Sequence, residues 1–220
     1  PMLHMLHRAG ELGDRLQVSV YAVGGFVRDI MLSRPAVEFD DVDLVVEGDG
    51  IAFAKALAQE LGGRVREHRT FMTALIIYHD ENGEEQRLDV ATARLEYYKY
   101  PAALPTVELS SIKMDLFRRD FTINAMALRL NKGQFGCLVD FFGGQSDIQR
   151  KTIRIIHALS FVEDPTRIIR AVRFEQRYGF HISTQGEKLI KNALSLNLVE
   201  KLSGARILHE LNLIFREDEP

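Results

Sequence analysis

The sequence predicts an α+β head joined to an all-helical continuation, and three observations predict it. Short apolar runs with strand periodicity, separated by turn residues, run from Val18 to about residue 156. Helical spacing interrupts them early in the chain, and everything after Pro165 is helical in pattern. A mixed sheet first and helices later place the division at 1–158 for the head and 159–220 for the helical region.

Taken in order, residues 3–16 read as a helix with Leu3, Leu6, Leu12 and Leu16 as its apolar positions. Residues 18–23 read as a strand that Gly24-Gly25 breaks, with a helix following over 26–32 and a strand over 41–47. Residues 51–61 carry Ile51, Ala54, Leu57, Ala58 and Leu61 at helical spacing, and Gly62 is the expected stop. Strands over 73–79 and 85–91 flank Asn82-Gly83, a strong hairpin signal. Residues 94–111 show no clear period and read as a surface loop with Tyr97, Tyr98 and Tyr100 clustered before Pro101, able to help place a ligand. A short helix is expected over 122–127, strands over 128–130 and 135–139, and a last short strand over 152–156.

Of the 220 residues, 46% are apolar and 27% charged, as in an ordinary globular protein, and no apolar run approaches the ~18 residues of a membrane span. The N-terminal stretch lacks the pattern of a signal peptide. One cysteine, Cys137, excludes an intrachain disulfide and a Cys-based zinc site, fits a reducing cytoplasm, and is expected in the core. A chain beginning at Pro1 reads as a piece of something longer. The net charge of −3 gives no global nucleic-acid signature, although basic residues outnumber acidic ones from Arg150 until the terminal acids.

The chemistry begins at FDDVDLVVEGDG, residues 39–50. In a strand Val42, Leu44 and Val46 share the core face, and Asp41, Asp43 and Glu47 share the other. At ~5 Å and an effective dielectric of ~20, two such carboxylates repel by about 3 kcal/mol. A divalent cation offsets this, and oxygen-only ligands suit Mg²⁺ or Mn²⁺; plain solvation of a strand end is the alternative. Asp40 reads as a turn residue at the strand entry, and Asp89, opposite Leu88 and Val90, is a third carboxylate able to join. Upstream, AVGGFVRD sets two glycines at a strand-to-helix turn, where Gly24 and Gly25 allow close approach of a phosphate and Arg28 adds charge; a simple tight turn is the alternative.

GGFVRD followed by DVDLVVEGD resembles motif A of the class II tRNA nucleotidyltransferases (CCA-adding enzymes) and the related bacterial poly(A) polymerases. LFRRDFTINAMAL, residues 116–128, resembles their motif B, VDFFGGQSDIQRKTIR motif C, and EDPTRIIRAVRF, residues 163–174, motif D. The resemblance runs in order from about Val20 to Ala205 and is strongest to the long bacterial subgroup. It implies a polymerase β-like nucleotidyltransferase head followed by a truncated helical neck. Asp41 and Asp43 would bind the metals of a two-metal mechanism, aided by Asp89, and the head would transfer CMP, AMP or both from CTP and ATP to the 3′ end of tRNA, as a CCA-adding enzyme or with a partial CC-adding or A-adding activity. Poly(A) polymerase activity on RNA ends, and a catalytically silent nucleotide-binding module, are the rival readings.

Motif B places Arg118, Arg119, Asp120 and Asn124 near the nucleotide. By chemistry alone Asp120 suits a ribose hydroxyl or a helix cap, and Arg119 a phosphate. Motif C implies a structural role for Asp140 and Asp147. Asp164 before Pro165 is a good helix start, and Arg167, Arg170, Arg173 and Arg177 form a stripe that is either a salt-bridged face or a surface for triphosphate or RNA. The resemblance sets Asp164 and Arg167 at the incoming base. Cytosine and adenine present an amino donor beside a ring acceptor, which an acceptor–donor pair admits, whereas uracil and guanine do not.

Overall fold

The computed structural model describes residues 2–33 and 42–217. The chain groups into two compact units, each drawn from several stretches: Pro1–Leu95, Val107–Arg118 and Asn124–Phe142 form the first, and Glu96–Thr106, Arg119–Ile123 and Gly143–Pro220 the second. The head–neck division at residue 158 remains a reading of the sequence, since this grouping follows contacts rather than chain order.

The first unit is a seven-stranded mixed sheet with helices on it. Its strands are β1 (Ser19–Val23), β2 (Asp43–Glu47), β3 (Arg64–His68), β4 (Thr73–His79), β5 (Glu85–Thr92), β8 (Ala127–Arg129) and β9 (Leu138–Val139), in the order β3-β4-β5-β2-β1-β8-β9. Only the β2–β5 pair is parallel. Helices α1 (Met2–Arg15), α2 (Gly25–Met31), α3 (Gly50–Leu61) and α4 (Ile112–Phe117) belong to this unit. Phe53, Ala54, Leu57 and Ala58 of α3 are buried together with Leu44, Val46, Ala74, Ile76, Leu88 and Val90 of the sheet. Asp49 caps α3 by accepting from Ala52 N, and Gly62 ends it at φ 67°. Such a left-handed conformation costs glycine nothing.

On the other face Val45 is buried as well. There the Glu47 carboxylate accepts from Ile112 N at 2.6 Å, fixing the start of α4. The sheet is therefore covered on both faces near Glu47, while the Asp43 end of that strand is exposed.

The second unit holds α5 (Gly144–Gln149), α6 (Ser160–Glu163), α7 (Thr166–Tyr178), α8 (Thr184–Ser195), α9 (Gly204–Ile214) and a parallel pair, β10 (Thr152–Ile153) with β11 (His181–Ile182). Its core includes Phe121, Ile123, Ile153, Phe161, Ile168 and Phe174. Gly179 closes α7 at φ 61°.

Several expectations need correcting. Residues 94–111 contain β6 (Arg94–Tyr97) and β7 (Thr106–Leu109), which pair in a two-stranded sheet, followed by the start of α4. The helix expected over 122–127 is a single 3-10 turn, Thr122–Asn124. Residues 121–127 are buried throughout, so no amphipathic stripe selects a helix, and Thr122 N bonds to Arg154 O. β11 interrupts the region expected to be wholly helical. Cys137 is exposed, not in the core. Among the described residues no helix is long and apolar enough to cross a membrane.

Candidate active site

In the first unit the site is built by strand register. Val23, the last residue of β1 before Gly24, is the partner of Asp43 on β2, and Asp43 is the partner of Asp89 on β5. Partners in neighbouring strands project to the same face, one strand spacing apart, ~4.8 Å. The carboxylates of Asp43 and Asp89 thus stand side by side, opposite the face that buries Leu44, Leu88 and Val90, and both residues are exposed. Asp41 and Asp40 lie outside the described residues. Among those described, no group of three or more His, Cys, Asp or Glu gathers. The described donor set is this pair, and paired carboxylate oxygens fit a hard divalent cation.

Beside the pair is the glycine turn. Gly24 sits at φ 75°, ψ −134°, a region open in practice only to glycine. Gly25 opens α2, and a Cβ there would come 3.2 Å from Arg28 Nη2. Arg28 is only 7% exposed. Its Nε and Nη2 donate to Asp29 at 2.9 and 3.0 Å, and its Nη1 donates to Asn124 Oδ1 at 2.7 Å. Two residues expected at the nucleotide, Arg28 and Asn124, are brought together as a hydrogen-bonded pair that braces the turn.

The second unit carries the remaining predicted residues. Asp120 Oδ1 accepts from Phe121 N at 2.7 Å, and its Oδ2 accepts from Arg170 Nε at 2.9 Å and Nη2 at 2.5 Å. Asp120 is therefore an ion-pair partner as well as a turn cap. Arg119 neighbours it in this unit. Arg170 Nη1 also lies 3.7 Å from Glu210, and Arg173 faces Glu210 at 3.7 Å and Glu217 at 3.2 Å. Arg177 faces Glu217 at 3.6 Å. The arginine stripe of α7 is thus a salt-bridged face, compensated from α9 and the residues just beyond it.

Asp164 and Arg167 are each held. Asp164 Oδ1 accepts from Thr166 N at 3.1 Å, Thr166 Oγ1 at 2.6 Å and Arg206 Nη2 at 2.7 Å. This secures the first turn of α7, as a capping aspartate does. Arg167, 5% exposed, donates through Nη1 to the buried Ser160 Oγ at 2.7 Å. Around them, burial reinforced by Glu96 pushes the Tyr98 phenol well above its ordinary range. Burial, again with Glu96 beside it, also raises Glu163. Burial lowers His157, and Arg167 lowers it further. Asp147, of motif C, accepts from Thr122 Oγ1 and from Arg154 Nε at 2.9 Å, a purely structural engagement.

Sequence reasoning missed Asp29, Ser160, Arg206, Glu210 and Glu217. Glu210 follows Arg206 by one helical turn on α9, a readable spacing, but the identity of its partners some 40 residues earlier is not written in any local pattern.

Residues 20–154 match the family model of the poly A polymerase head domain. An A-adding tRNA nucleotidyltransferase of Geobacter sulfurreducens is 56% identical over 220 residues, covering 100% of this chain and 24% of the relative. An A-adding tRNA nucleotidyltransferase of Halalkalibacterium halodurans is 42% identical, covering 99% of this chain and 50% of the relative. Among solved structures, an apo form of a CCA-adding enzyme superposes with a TM-score of 0.91 at 48% identity, covering 100% of this chain and 50% of that one. The chain spans half or less of the length of these relatives. With a family model matched over more than half of its residues, the chain belongs to the poly A polymerase head-domain family.

Proposed function

We propose that the protein containing this chain is a tRNA nucleotidyltransferase that transfers AMP from ATP to the 3′ end of tRNA. The observation that carries the reading is the alignment of Asp43 and Asp89 in adjacent strands beside the glycine turn that ends β1. Two relatives of 56% and 42% identity named A-adding favour AMP over CMP. Their names support tRNA as the acceptor, and neither a general poly(A) polymerase nor a silent nucleotide-binding module.

Nucleotide transfer in this family is generally metal-dependent. In this chain Asp43 and Asp89, with Asp41, would hold a divalent cation, Mg²⁺ or Mn²⁺. When bound, such an ion polarises the phosphoryl oxygens and lowers the pKa of an attacking hydroxyl. The terminal ribose 3′-hydroxyl of the tRNA attacks the α-phosphorus of ATP. The new O–P bond forms as the bond to pyrophosphate breaks, and the hydroxyl proton is released.

Gly24 and Gly25 let the triphosphate approach the backbone, with Arg28 and Asn124 fixing the turn. Asp164 accepts from the exocyclic amine of adenine, and Arg167 donates to its ring nitrogen. Arg119 and Asp120 serve the phosphate and ribose, while the ion pairs of Arg170 and Arg173 hold α7 in place. A tRNA substrate and an exposed thiol at Cys137 fit the cytoplasm.

The test is incorporation of labelled ATP and CTP by the full-length protein into tRNAs ending before C, CC and CCA. AMP addition to the CC-ending tRNA alone is expected. Addition of CMP to the shorter tRNAs would replace the A-adding reading, and no incorporation with any tRNA would remove it.

A further inference from the structure

We infer that Arg206 is a positioning residue for nucleotide selection, one that turns Asp164 into a base reader with a single committed oxygen. The inference rests on the functional reading above and extends it to a residue on α9.

The geometry is specific to the two oxygens of Asp164. All three donors that reach the carboxylate, from Thr166 N, Thr166 Oγ1 and Arg206 Nη2, converge on Oδ1. Oδ2 meets no donor among the described residues. An oxygen held from three directions fixes the plane of the carboxylate, so the direction in which Oδ2 points is set before any nucleotide arrives. Thr166 lies in the same turn and holds Asp164 locally; Arg206 reaches it from α9 as an ion pair at 2.7 Å.

Arg206 does a second thing at the same time. Its Nη1 donates to Ala102 O at 3.3 Å, and the N–H of Ala102 donates to Glu163 O at 3.2 Å. Ala102 is at φ 63°, a left-handed conformation that is uncommon for a residue with a Cβ and persists where its surroundings hold it. The guanidinium fork thus ties the segment between β6 and β7 to the aspartate at the start of α7. A planar fork with two donors in fixed directions can serve both acceptors together, which a lysine ammonium cannot do with the same geometry.

The chemistry gives a signature that a merely structural role lacks. A and C both present an amine to an acceptor, so the orientation of Oδ2 does not separate them. G and U present a carbonyl there, and an aspartate free to turn away no longer rejects them. Weakening the Arg206 clamp should therefore relax discrimination against GTP and UTP while leaving the ratio of ATP to CTP nearly as it was.

The experiment measures kcat/KM of the full-length protein for all four nucleotides on a CC-ending tRNA, for wild type, Arg206→Gln and Arg206→Lys, with thermal melts alongside. Failure of the wild type to add AMP would count against the functional reading and is distinguishable from failure here. With wild-type activity present, Arg206→Gln is expected to lower the ATP over GTP ratio about tenfold or more, with the ATP over CTP ratio changing less than about twofold, and Arg206→Lys to fall between. An equal loss for all four nucleotides, or an unchanged ATP over GTP ratio, overturns the proposal. Should the glutamine variant melt below the assay temperature, a lysine variant with the wild-type ATP over GTP ratio overturns it.

Discussion

At the sheet end of the first unit two like charges stand side by side and are left exposed. Along α7 in the second unit, three arginines are each set against acids that come from elsewhere in the chain. Register brings the exposed Asp43 and Asp89 to one face of the sheet, where an incoming cation can reach both carboxylates. Arg170 and Arg173 instead sit in ion pairs with the buried Asp120 and Glu210. Charge alone therefore does not mark a reactive site. What separates the two regions is whether the charges are open to an incoming ligand or packed against one another.

The sharpest way to break that contrast is to neutralise the open side. Asp43→Asn, and equally Asp41→Asn, should lower AMP incorporation by about 10³-fold or more, and Asp43→Asn, at an exposed position, should leave the melting temperature of the full-length protein nearly unchanged. Turnover within about threefold of wild type in Asp43→Asn would show that the pair is only a solvated strand end. A smaller loss is expected for Asp89→Asn, whose place beside Asp43 is set by register across the β2–β5 pair.

Neutralising the ion-paired side should do the reverse. Glu210 is 5% exposed and faces both Arg170 and Arg173. Removing one partner of a buried pair leaves the other charge uncompensated, but Arg170 keeps Asp120 and Arg173 keeps Glu217. Glu210→Gln is therefore expected to cost about 1–3 kcal/mol in urea unfolding, below the full cost of orphaning a buried ion. The ATP over GTP ratio should stay where it is, which also separates this variant from Arg206→Gln one turn away on α9.

The same contrast explains what was legible in the sequence. The Asp43 strand could be read because its signal is local: Asp43 and Glu47 lie on one face and Leu44 and Val46 on the other, with Val45 alone departing from the pattern, and Leu88 and Val90 place Asp89 by the same rule. Gly62, Asn82-Gly83 and the start of α7 were legible for the same reason, each being a feature of one turn. β3 was not, since Arg64, Arg66, Glu67 and His68 surround a single Val65 and give no apolar alternation. Nor were the ion-pair partners of α7, because Asp120 lies 50 residues before Arg170 and Glu217 lies 44 after Arg173. The stripe of arginines was visible, but its counter-charges depend on tertiary packing. α4 did carry a local signal, the Ser111 cap whose Oγ accepts from Met114 N at 3.4 Å, inside a segment whose mixed composition hid it.

The smallest expected effect tests the contrast at one half-buried pair where geometry and burial pull in opposite directions. His157 Nε2 lies 3.4 Å from Glu163 Oε2, a distance compatible with an ion pair. Burial nevertheless raises the Glu163 carboxyl and lowers the His157 imidazole, so each is moved toward its neutral form, and Arg167 reinforces the shift at His157. For a histidine whose folded pKa lies below its unfolded value of about 6.5, the unfolded chain takes up the proton first as the solution is acidified. Stability is then lost as pH falls through the unfolded value and levels off below the folded one. For a carboxyl whose folded pKa is raised the sign reverses, and stability is lost as pH rises from the ordinary carboxylate range to the raised value. His157→Gln should accordingly reduce the drop in melting temperature between about pH 7.5 and about pH 5.5, and Glu163→Gln should be modestly stabilising at the upper end. A charged pair predicts the opposite, with the wild type gaining on His157→Gln as the pH falls, because a partnered imidazolium would hold its proton more tightly in the folded protein than in the unfolded chain.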